Sequence, residues 1–137
     1  MDRNSQNLTG VWHGLYSYVT QPYVPENHFI AVLIDSSGHL SGTVHETITH
    51  SNGTSSDQNA DVVGKRDVAN VTFMKTYDGN NGWSHNVFYV GALNAENNEI
   101  EGIWRIHGRY GNYEGKFLMI RNSGNDEAVE VAKYETV

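Results

Sequence analysis

The sequence predicts an all-β fold, a single antiparallel up-and-down β-barrel of about eight strands. Three observations lead there. Segments rich in Val, Ile, Tyr, Phe and Thr alternate with clusters of Gly, Asn, Asp and Ser along the 137-residue chain. Most of the links between them are too short for a crossover helix, so successive strands pair antiparallel. Strands of similar length in such a meander most simply close on themselves, which leaves no exposed edge.

The first strand is Gly10–Val19, in which Trp12, Gly14, Tyr16 and Tyr18 share one face. Pro22 and Pro25 fall in the connection that follows. The second strand, His28–Asp35, is apolar on both faces, so its parity stays open and a subunit contact is expected beside the lumen. After the DSSG turn comes Leu40–Ile48, with Leu40, Gly42, Val44, Glu46 and Ile48 facing inward. Thr49–Asn59 reads as a polar loop before the fourth strand, Ala60–Asp67, whose inward set is Ala60, Val62, Gly64 and Arg66. Asn70–Tyr77 turns Val71, Phe73, Lys75 and Tyr77 inward, and Asn86–Leu93 does the same with Val87, Tyr89, Gly91 and Leu93. Glu99–His107 contributes Ile100, Gly102, Trp104 and Ile106, and Asn112–Arg121 contributes Tyr113, Gly115, Phe117, Met119 and Arg121. The barrel domain is thus 1–121, and 122–137 is an acidic tail whose structure the pattern leaves open.

Composition narrows the function classes. The absence of cysteine removes disulfides and thiolate metal sites, and the net charge of −7 argues against nucleic acid and anionic membranes as partners. The polar start MDRNSQN and the lack of any long apolar run predict a soluble, cytoplasmic protein. The seven histidines form no HxH or HExxH pair on an inner face, so no metal is expected. His28 stands where it could reach a cavity mouth. No phosphate loop or nucleophile motif occurs, and no cofactor is expected.

An apolar lining that carries Glu46, Arg66 and Lys75 with several tyrosines has three readings. The charges pair among themselves in a filled structural barrel. They form one end of a cavity for a small apolar or aromatic ligand with an anionic group. Or Glu46, its pKa raised by burial, and Tyr18 catalyse cofactor-free acid–base chemistry, as in a lyase, isomerase, decarboxylase or cyclase.

The order of LTGVW, GHLSGT, VVGKRD, YVGALN, IEGIW and GKFLMIR resembles the avidins and streptavidin, within the calycin superfamily, from Leu8 to Arg121. The resemblance implies that Trp12 plugs the closed barrel end under the Arg121 cation. With the inward lining of Tyr16, Tyr18, Glu46, Arg66, Lys75, Tyr77, Tyr89 and Phe117, it places a ligand cavity there, walled by Trp104 and Phe73, with Thr49–Asn59 as a flexible loop over it. It further implies a homodimer or homotetramer. Where avidins hold biotin with polar side chains, this chain has Gly14, Tyr18, Val44, Glu46 and Phe117, so a cavity that does not bind biotin tightly is expected.

Overall fold

A computed structural model describes residues 6–18, 27–49, 52–79, 85–108 and 111–121. The proline-bearing connection and the acidic tail lie outside them. Eight strands follow one another: β1 Gly10–Tyr18, β2 Asn27–Ser36, β3 His39–Thr49, β4 Ser55–Asp67, β5 Asn70–Tyr77, β6 Asn86–Leu93, β7 Glu99–Gly108 and β8 Gly111–Ile120. Each pairs antiparallel with the next, and β8 returns to β1, so the sheet is a closed up-and-down barrel. Among the described residues no helix is long and apolar enough to cross a membrane.

Alternation decides the faces. On β2, Phe29, Ala31, Leu33 and Asp35 are buried, which settles the strand whose sequence is apolar on both sides. Val32 and Ile34 stand on its outer face, 46% and 56% exposed. His28 is exposed on that same outer side and does not reach the lumen. The core is one continuous cluster running from Leu8 and Trp12 to Met119.

The largest departure from expectation is β4. It begins at Ser55, so most of the polar stretch Thr49–Asn59 is strand rather than a flexible loop. Cross-strand polar pairs on the outer face hold it to β3. Thr47 Oγ1 donates to Asp57 Oδ1 at 3.0 Å, and His45 Nδ1 meets Asn59 Oδ1 at 2.8 Å. Such pairs make a ladder without apolar side chains outside. The inner side of this extension carries Gln58, which is fully buried.

Glycine is required where walls and side chains crowd. A Cβ on Gly14 would run into the Phe29 ring, and one on Gly115 would strike the Ser17 carbonyl and lie 2.6 Å from Trp104 Nε1. The Ser17 carbonyl is also the acceptor for that indole N–H, at 3.1 Å. Gly115→Ala is therefore expected to cost about 1–3 kcal/mol, because a backbone atom must move. A lower urea midpoint with unchanged m-value checks this.

One barrel end is sealed. The Trp12 indole N–H donates to the Leu8 carbonyl at 2.9 Å, and the Leu8 N–H donates to Asp35 Oδ2 at 2.9 Å. The Arg121 guanidinium carbon lies 4.6 Å from the centre of the Trp12 ring, while its Nε donates to the Asn97 carbonyl at 3.0 Å. Arg121 thus ties the β6–β7 turn across the plug.

Candidate ligand-binding site

The strand register places Glu46 opposite Phe29 on β2 and opposite Gln58 on β4. Tyr77 sits two residues beyond Lys75 on the inner face of β5. These strands bring the Lys75 ammonium to 3.3 Å from Glu46 Oε2, and the Tyr77 hydroxyl donates to Glu46 Oε1. Lys75 and Glu46 are 2% and 1% exposed. The ammonium also lies over four rings, at 5.1 Å from Tyr16, 5.7 Å from Phe29, 4.7 Å from Tyr77 and 5.3 Å from Tyr89. A desolvated cation over aromatic faces gains about 1–2 kcal/mol from each well-placed ring.

Burial sets the electrostatics. It pushes the Lys75 amine below its ordinary value, against the Glu46 carboxylate that pushes it up. The phenols move the other way. Burial first, then nearby negative charge, raises Tyr16, Tyr77 and Tyr89 far above the usual phenol range. Tyr18 is raised for the same leading reason.

The aromatic walls form two groups. Phe73 stacks on Tyr89 with centroids 4.6 Å apart, and Phe117 meets both edge-on, at 6.1 Å and 5.0 Å. Trp104 receives Tyr16 and Tyr18 edge-on at 5.8 Å and 4.9 Å. Tyr18 is half-buried against that ring, whereas Lys75 and Tyr77 take the Glu46 oxygens.

Arg66 does not belong to this cluster. It faces the interior but stands at the sealed end, where its Nε donates to Asp35 Oδ2 at 2.7 Å. Asp35 also accepts from the Leu8 and Gly38 N–H groups. Burial pushes its carboxyl up, but Arg66 and those N–H groups together hold it below the ordinary 3.8. Its contribution to stability is therefore present above pH ~4 and is lost as pH falls through the lowered folded value. Arg66→Ala is expected to cost about 2 kcal/mol at neutral pH and to flatten that acid limb, with the lumen cluster untouched. Urea unfolding at pH 7 and pH 4 reads both effects.

The interior thus brings together Tyr16, Tyr18, Glu46, Phe73, Lys75, Tyr89, Trp104 and Phe117, and it leaves Arg66 with Trp12 and Arg121 at the other end. Tyr77, which the sequence places on the inner lining, joins the cluster, and so do Phe29 and Gln58, which it did not single out. Strand parity already pointed Tyr77 inward. It would have pointed Gln58 inward too, two residues before Ala60, had the polar stretch been read as strand.

The eight strands close into an antiparallel up-and-down barrel. No protein-family model matches the chain, and no curated protein matches it. Solved structures do. Apocrustacyanin C2 is 16% identical, with 97% of this chain and 70% of that one covered and a TM-score of 0.45. Lobster apocrustacyanin A1 gives 15%, the same coverage and 0.43, and apocrustacyanin C1 gives 16% and 0.44. None of these three is an avidin. The likeness says nothing about the site, which stands on this chain's own side chains.

Proposed function

We propose that the barrel binds a small, flat, largely apolar or aromatic molecule beside Glu46, Lys75 and Tyr77. The observation that carries this reading is the buried ion pair ringed by aromatic faces. Well-packed apolar residues in place of a buried pair are often neutral or stabilising, so a barrel built for stability alone has no need of one. The avidin resemblance supports the same part of the barrel, with a ligand other than biotin. Among the described residues, Lys75 is paired with Glu46 and Arg66 with Asp35. An uncharged ligand suits this balance better than the anionic one the sequence suggests.

Acid–base catalysis by Glu46 and Tyr18 has less support, because Lys75 and Tyr77 donate to the carboxylate while Tyr18 packs on Trp104. The exposed Val32 and Ile34 support association of copies through their outer faces, as a homodimer or homotetramer. Sedimentation of the purified protein tests that part.

Titration with the uncharged fluorophore N-phenyl-1-naphthylamine tests the binding reading. A saturable rise in emission with one site per chain and quenched tryptophan fluorescence is expected. Its anionic relative 8-anilinonaphthalene-1-sulfonate should bind more weakly. A non-saturating response to both would refute a ligand cavity.

A further inference from the structure

Gln58 is 0% exposed, and among the described residues neither its Oε1 nor its Nε2 has a hydrogen-bond partner. It lies on the inner face of β4, directly across the ladder from Glu46. Across the ladder, Lys75 and Tyr77 both direct a donor to Glu46 rather than to Gln58. A buried carboxamide with both ends unmet is costly and is retained only if something completes it.

We propose that the Gln58 carboxamide reads a neutral cyclic cis-amide on the ligand, a lactam or imide edge with C=O and N–H side by side. This rests on the binding function proposed above and names the polar group that the site selects. A carboxamide offers a donor and an acceptor in one plane, and its complement offers an acceptor and a donor on adjacent atoms. A carboxylate offers only acceptors and would oppose Oε1. An ammonium offers only donors and would oppose Nε2. The charge balance of Lys75 with Glu46 also favours a neutral partner.

The test uses three probes of nearly equal shape: 2-quinolone, 1-methyl-2-quinolone, which lacks the N–H, and quinoline, which lacks the amide. Each competes with N-phenyl-1-naphthylamine for the full-length protein. The parent protein should prefer 2-quinolone by roughly 10–100-fold over both relatives. Gln58→Leu should bind all three alike. It should also raise the Tm of the ligand-free protein by roughly 3–6 °C, because an unmet polar group is removed from the interior. That gain shows that the variant folds. Equal affinity of the parent for 2-quinolone and its methyl derivative would overturn the proposal, as would discrimination that survives in Gln58→Leu. If the naphthylamine binds and no quinolone displaces it, the amide reading fails and the binding function stands. If the naphthylamine itself does not bind, both fail.

Discussion

Glu46→Ala is expected to lower the unfolding free energy by about 3–5 kcal/mol, roughly a 10–20 °C fall in Tm for a domain of this size. The loss comes from the partner left behind. Lys75 is 2% exposed, and without Glu46 its ammonium is left over the Tyr16 and Tyr89 rings in place of water. The amine then either stays charged at a heavy desolvation cost or gives up its proton at neutral pH, which also costs free energy. The Tyr77 hydroxyl loses its acceptor in the same step. The double variant Glu46→Leu with Lys75→Met removes both charges and refills the volume. It should recover most of the stability, because well-packed apolar replacements of a buried pair are close to neutral. A double-mutant cycle by urea denaturation measures the coupling. Additive losses at the two sites would mean that the pair does not act as one unit.

Alkali should unfold the protein steeply above pH ~10. Tyr16, Tyr77 and Tyr89 have folded values raised above the ordinary 10.0, chiefly by burial. Below pH 10 the three phenols are protonated in both states, and their contribution is fully present. Above it the unfolded chain releases protons that the fold retains, so stability falls as pH rises. Each group adds about 1.4 kcal/mol per pH unit, so three give about 4 kcal/mol per unit. An ordinary domain stability of about 5–15 kcal/mol is thereby consumed within a few pH units. Lys75 works in the opposite sense at lower pH. Its folded value lies below the ordinary 10.5, so between the two the unfolded chain holds the extra proton and stability rises with pH. The stability curve should therefore climb gently towards pH 10 and then drop. Tyr89→Phe should reduce the alkaline slope by one proton. Chemical denaturation at half-unit steps from pH 8 to 11.5 reads the curve, and a flat profile above pH 10 would contradict the buried-phenol assignment.

The strands were legible because their inner faces alternate. Lys75 follows Phe73 and Val71, and Trp104 follows Gly102 and Ile100, so their direction needed no coordinates. Height along the barrel was less obvious. Arg66 shares its face with the cluster but stands eight residues further along β4 than Gln58, the partner of Glu46. At about 3.3 Å per residue that is ~26 Å, the other end of the barrel. Parity assigns a face, and only register assigns a level. The β3–β4 pairing holds that answer, because β4 ends where β3 begins. Gln58 was hidden by composition, since Ser, Asp, Gln and Asn in succession read as loop. Those residues form strand here because Thr47 and His45 supply polar partners on the outer face. The parity of β2 was beyond reach, as Ile30, Val32 and Ile34 are as apolar as the buried Phe29, Ala31 and Leu33.

The most direct test of a ligand-holding lumen is a crystal structure of the protein grown with N-phenyl-1-naphthylamine. The account predicts density for the probe inside the barrel, with Trp104 as one wall and Glu46, Lys75 and Gln58 at its edge. A lumen closed over by Tyr16, Phe73, Tyr89 and Phe117, with the probe absent or on the outer surface, would contradict it.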